Sequence, residues 1–181
     1  MEQHVFHILN RGVEKRKVFL VKKDYLRFVH NLYDFNNQNN VLFSYNRRRM
    51  SELRPPTIEQ TRNELVDVFC WSLLPNHHHI LSQEKIEGGA SVFSQKLTGG
   101  YTMHFNLCHQ RSGCLFQGKS KIILVSSDAH FLHLPFYILS NPLDLFQLDW
   151  RERGIKNPKK AFDIMSQALA TASLPEVPLV R

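Results

Sequence analysis

Three successive histidines, His77, His78 and His79, sit inside the apolar run LLPNHHHIL at residues 73–81. On a strand alternate side chains share a face, so His77 and His79 point one way and His78 the other. Two imidazoles one residue apart can hold a single divalent cation, and imidazole suits zinc, manganese, iron and other first-row metals. Two ligands are too few for a closed structural site, so a third has to come from elsewhere. Taken alone the pair is weak, because surface or hydrogen-bonded histidines on an edge strand explain it about as well.

The segment 128–141 offers partners. Tyr137 and Asn141 are four residues apart and share a helical face. Asn141 can give a carbonyl oxygen to a metal and Tyr137 a phenolic oxygen to a substrate. An aromatic between Phe136 and Ile138 is more often a core residue, however. Tyr101, one of four other tyrosines, lies on an amphipathic stretch with an equal formal claim.

The elements that must position these groups follow from periodicity. HVFHILNR (4–11) reads as a strand ending at a Gly12 turn. From Asp24 the residues Tyr25, Phe28, Val29, Leu32 and Tyr33 form the 3.6-residue stripe of a helix, which NNQNN ends. Residues 36–63, with Arg47–Arg49 and Pro55-Pro56, read as a long inserted loop. Strands follow at 65–74 and 77–83, joined by a tight Pro75-Asn76 turn. Gly88-Gly89 precedes a helix with the stripe Phe93, Leu97, Tyr101, Phe105 and Cys108. RSGCLFQG is a loop, and residues 121–127 form another strand. Ser127 or Asp128 caps a helix to about Asn141, where Pro142 stops it. A last helix starts at Asn157-Pro158 with the stripe Ala161, Phe162, Met165 and Leu169, and the tail after Ser173 frays. The order predicts an α+β chain with a ferredoxin-like (RRM-like) β-α-β-β-α-β core, an antiparallel sheet, a following helix with the tyrosine, and a C-terminal helix. It divides into residues 1–150, the unit holding the candidate site, and 151–181, helix and tail. Such a fold hosts many functions and assigns none.

Composition narrows the partners. The chain has 181 residues, 43% hydrophobic and 11% aromatic, enough for a sizeable core. No apolar stretch approaches the roughly 20 residues of a membrane span, so no membrane partner is expected. The opening MEQHVFHILNRG lacks the marks of a signal peptide. Three cysteines, Cys70, Cys108 and Cys114, without metal-ligand spacing point to a reducing, cytoplasmic setting. The net charge is +7 with a pI near 9.5. Lys and Arg gather beside Gly, Asn, Ser and aromatics in RGVEKRK, NRRRMSELR and RSGCLFQGKSK. Basic loops with interleaved aromatics suit phosphate contact and base stacking, which favours a nucleic-acid partner.

The segments HVFHILNRGVEKRKVF, FCWSLLPNHHHIL, GGYTMHFNLCHQRSGCLFQGKSKIILV and YILSNP together resemble the HUH single-tyrosine transposases, closest to the REP-associated tyrosine transposases. The similarity runs in order from about residue 4 to about residue 165, and its LPNHxHIL and RSGxLFQG segments are specific. The resemblance implies a metal-dependent single-stranded DNA transesterase that cuts at or near hairpins, forms a 5′-phosphotyrosine link and rejoins strands in DNA transposition. It matches the family's metal histidines to His77 and His79, its nucleophile to Tyr137, and its last metal ligand to Asn141, with Mg²⁺ or Mn²⁺ as cofactor. Around this centre Arg11, Lys15, Arg16, Arg111, Lys119 and Lys121 are candidates for DNA backbone contacts, and Phe116 for stacking on a base. Each charge could equally be a solvated surface group, and Phe116 a loop anchor. Relatives occur as monomers and as dimers that swap the tyrosine helix, so either a monomer or a homodimer on single-stranded or hairpin DNA is implied.

Three positions depart from the family pattern. His78 replaces a middle residue that is normally apolar or tyrosine. Pro135 removes a hydrogen bond two residues before Tyr137, at on the order of 3 kcal/mol, so a kink is expected there. Phe136 stands where relatives often have Arg, which removes a phosphate contact. A non-cutting DNA-binding remnant is the rival these departures raise.

Overall fold

Alternation of apolar and polar residues makes strands here, and their register gives one sheet two faces, each covered by helix. The computed structural model describes residues 4–39 and 62–172, with side chains as far as residue 165. Most of the expected 36–63 insertion, including Arg47–Arg49, and the tail after Ser173 lie outside the described residues. Strands β1 (Val5–Arg11), β2 (Val66–Leu74), β3 (His77–Glu84) and β4 (Lys121–Leu124) form one sheet in the order β2-β3-β1-β4. Every neighbouring pair is antiparallel. The chain is thus α+β, with a four-stranded antiparallel sheet. β4 stops at Leu124, shorter than the expected 121–127.

One face carries α1 (Lys22–Asp34) and α2 (Gly89–Cys108). Ile8 and Ile80 of the sheet pack there with Phe28, Phe93, Leu97 and Tyr101, all fully buried. The α2 stripe is followed except at its end, where Cys108 is exposed because the helix has already passed the core. Gly100 sits where a Cβ would come within 2.2 Å of the Phe35 ring, so any larger residue in α2 would require that ring, just past the end of α1, to move. Asn36, just past α1, accepts from the backbone of Leu65 and Val66 and donates to the Val66 carbonyl. It thereby ties the helix end to the start of β2.

The opposite face is covered by α3 (Asp128–Ser140). Ser127 caps it by accepting from the His130 amide. The helix carries through Pro135 without a break. The α-helix ends at Ser140 with Asn141 as its C-cap, beside Pro142 as expected, and the chain continues as a 3-10 segment, Asn141–Leu145. A short helix α4 (Trp150–Arg153), absent from the periodicity reading, follows it. Helix α5 (Pro158–Ala172) is capped by Asn157, whose side chain accepts from the Lys160 amide. It lies against the 3-10 segment, α1 and β2. Ala161 is buried there, but Phe162, expected in the buried stripe, is 71% exposed. Among the described residues no helix is long and apolar enough to cross a membrane, and Cys70, Cys108 and Cys114 are free thiols.

Candidate active site

Partners across an antiparallel sheet share a face. Leu9 is opposite His79, Arg11 opposite His77, and His7 opposite Leu81, so His7, His77, His79 and Arg11 all project toward the α3 side. His78, opposite Asn10, projects into the main core. Its ring is fully buried against Phe28 and Phe116, at centroid distances of 4.8 and 5.5 Å. Neither ring nitrogen finds a hydrogen-bond partner among the described residues. Burial, then the neighbouring His77, pushes its pKa down to about 3. The triplet is one core-facing spacer between two histidines of the opposite face.

On the site face the imidazoles form a row. His77 and His79 have ring centroids 5.1 Å apart, and His79 stacks on His7 at the same spacing. His7 Nε2 lies 2.8 Å from His79 Nδ1, and His77 Nδ1 lies 2.6 Å from Asn76 Oδ1. Burial, followed by the charge of surrounding histidines, lowers the pKa of His79 to about 3 and that of His7 to about 4. His77 is lowered by burial and by Arg11, against an opposing pull from Asp144. Neutral imidazoles keep a lone pair for a ligand, which is the form a metal requires.

Tyr137 comes down from α3 onto this row, half-buried, with centroids 5.9 Å from His79 and 6.4 Å from His7. Leu134 and Ile138 of the same helix seat it against Leu81. Tyr101 is elsewhere: fully buried on the far face, it donates its hydroxyl to the Val18 carbonyl at 2.6 Å, and burial raises its pKa far above the usual value.

Asn141 is buried where α3 turns into the 3-10 segment. Its Oδ1 accepts from Arg151 Nη2 at 3.1 Å, and its Nδ2 has no partner among the described residues. Arg151 also donates to Asp144 Oδ1 at 2.5 Å and lies 5.4 Å over the Tyr137 ring. Trp150 Nε1 donates to the same Asp144 oxygen at 2.8 Å. His7, Asp144 and Arg151 are the site residues that the sequence reading missed. His7 needed the β1–β3 register, and Arg151 needed a four-residue helix too short to leave a period.

The donor set suits a hard-to-borderline divalent ion. It comprises two neutral imidazoles whose Nδ1 atoms are already engaged, and one buried amide oxygen with a second lone pair. Among the described residues no group of three or more His, Cys, Asp or Glu is arranged to hold a metal, so the amide would have to serve as the third ligand.

The basic candidates separate into two kinds. Arg11, Lys15, Arg16, Lys119 and Lys121 are exposed. Gly12 bridges to Phe116, and the Gln117 amide donates to the Arg11 carbonyl, so the 12–16 and 111–121 loops meet at the end of β1. Glu14 and Lys15 are held at φ 54° and 60°, and the Asn76 amide bonds the Lys15 carbonyl, docking that loop on the turn before His77. Arg16 shares an exposed ion pair with Glu14. Arg111, by contrast, is committed to the end of α2 through Asn106 Oδ1 (2.7 Å) and to its own loop through the Cys114 carbonyl (3.1 Å). Of the two readings of Phe116, base stacking and loop anchor, its placement favours the anchor. It is 6% exposed and packed in the core with Tyr101 and His78, so it anchors the loop and offers no face to a base.

No protein-family model matches this chain, and no curated protein matches it. Among solved structures it is similar to one described as the REP-associated tyrosine transposase bound to a REP hairpin. Identity is 14%, over 97% of this chain and 86% of that chain, with a TM-score of 0.46.

Proposed function

We propose that this chain is a transposase-type, metal-dependent single-stranded DNA transesterase on a ferredoxin-like core, with Tyr137 as nucleophile. The observation that carries the reading is the Tyr137 ring set 5.9 Å from His79, across from a row of neutral histidines. The strand order β2-β3-β1-β4 supports the split β-α-β-β-α-β reading. His77, His79 and Asn141 would hold Mg²⁺ or Mn²⁺, which when bound polarises a non-bridging phosphate oxygen and offsets developing charge. Tyr137 attacks the scissile phosphorus in line. The Oη–P bond forms as the P–O3′ bond breaks, the phenolic proton leaves to solvent, and the departing 3′ oxygen is protonated. The phosphodiester energy stays in the 5′-phosphotyrosine, so rejoining by a 3′-hydroxyl requires no ATP. The exposed cations Arg11, Lys15, Arg16, Lys119 and Lys121 would track the DNA backbone.

The rival, a relative that binds single-stranded or hairpin DNA without cutting it, is favoured by one contact. Arg151 already occupies Asn141 Oδ1, at the position proposed for the third ligand. Incubation with hairpin-bearing single-stranded DNA and Mg²⁺ or Mn²⁺, resolved under denaturing conditions, separates the two. A covalent adduct in the wild type that is lost in Tyr137→Phe, with hairpin binding retained, supports the transesterase. An adduct that survives in Tyr137→Phe refutes the nucleophile, and binding without any adduct supports the rival.

A further inference from the structure

A neutral imidazole has one N–H and one lone pair, so a bond at one nitrogen decides what the other can do. His77 Nδ1 lies 2.6 Å from Asn76 Oδ1, an oxygen that only accepts. His77 Nδ1 must therefore carry the proton, leaving the Nε2 lone pair free. His79 has no such oxygen. Its Nδ1 meets His7 Nε2 at 2.8 Å in a buried contact that is satisfied in either direction. If His7 donates, His79 carries its proton on Nε2 and cannot bind a metal there. If His79 donates, its Nε2 lone pair is free, as on His77.

We propose that His7 is the positioning residue of the pair: it accepts from His79 Nδ1–H and so fixes His79 with an open Nε2. The role rests on the reading of His79 as a metal ligand. His7 is itself no ligand through Nε2, since that lone pair is used on His79. It is 7% exposed and held by the β1–β3 pairing, and its ring stacks on His79 with centroids 5.1 Å apart. It therefore fixes ring orientation as well as tautomer, the two things an outer-shell partner does for a metal-bound histidine.

The test compares the wild type with His7→Leu, which removes the acceptor, and His7→Gln, whose Oε1 reaches the place of Nε2. Imidazole nitrogen NMR on metal-free protein reads the tautomer, and titration with Mn²⁺ reads affinity. The expected wild-type result is a protonated Nδ1 and bare Nε2 on His79. Mn²⁺ affinity should fall about ten- to a hundredfold in His7→Leu and largely return in His7→Gln. A His79 protonated at Nε2 in the wild type, or His7→Leu binding Mn²⁺ as the wild type does, overturns the role alone. Wild-type protein that binds no Mn²⁺ overturns the metal reading beneath it. If His7→Leu does not fold, His7→Gln decides: an Nε2-protonated His79 in that variant also overturns the role.

Discussion

Replacing His78 by leucine should stabilise the protein, and by more in acid than at neutrality. The side chain is fully buried with both ring nitrogens unpartnered among the described residues. Each buried polar atom without a partner costs about 1–3 kcal/mol, which leucine of similar volume avoids. Against this stand the ring contacts with Phe28 and Phe116, worth about 0.5–1.5 kcal/mol each. The net gain expected near neutrality is about 1–3 kcal/mol. Protonation adds a second term. The folded pKa of His78 is lowered from 6.5 to about 3, so below pH 6.5 the unfolded chain takes up a proton that the folded chain refuses. The stability tied to its neutral form is complete above 6.5 and drains as pH falls toward 3. Between about pH 7.5 and about pH 5 that loss is about 2 kcal/mol for one such histidine. His7 and His79 suffer similar losses, but they are common to both proteins and cancel in the difference. Urea unfolding in EDTA, followed by the fluorescence of Trp71 and Trp150, measures it at both pH values. A stability difference that does not change with pH, or a variant less stable than the wild type at the lower pH, would refute the buried, unpaired assignment.

Other substitutions separate site from scaffold. Tyr101→Phe should keep the DNA adduct while losing about 1–3 kcal/mol of stability through the stranded Val18 carbonyl, read by parallel adduct and melting assays. Phe116→Ala should cost about 3–5 kcal/mol in denaturant unfolding, as a core deletion does, whereas a base-stacking residue would lower hairpin affinity at unchanged stability. Arg11→Ala and Lys121→Ala should each flatten the dependence of log affinity on log salt by about one unit, and Arg111→Ala should change it little. Asn36→Ala strands two amides and one carbonyl at the start of β2. It should destabilise by about 2–4 kcal/mol with no selective effect on the adduct.

The strands were legible because their period is two, and that period alone separates His78 from its neighbours. What it could not supply is the identity of each strand's neighbours. His7 sits seven residues from the start of the sequence and touches His79 only because β1 pairs with β3. The choice between Tyr137 and Tyr101 was beyond spacing for the same reason. Both lie on apolar helices, and only packing shows one hydroxyl spent on a carbonyl and the other ring beside imidazoles. Phe116, open between base stacking and a loop anchor, packs into the core, while Phe162, expected in the buried stripe, faces solvent, since neither periodicity nor residue type records what lies opposite. Pro135 led to the expectation of a kink, and it lies inside a single helix, Asp128–Ser140, that leads into the 3-10 segment carrying Asn141.

The single thickness of β3 has a consequence for how this chain tolerates change in length. Its front and back are read from the same three letters: the core takes His78, and the working face takes His77 and His79. Inserting or deleting one residue in the Pro75-Asn76 turn would reverse both at once, turning the histidine pair inward and the spacer outward. A slip of two would preserve the faces but carry His79 away from His7. The strand therefore behaves like a key cut on both edges, for which no small error in length spoils only one lock.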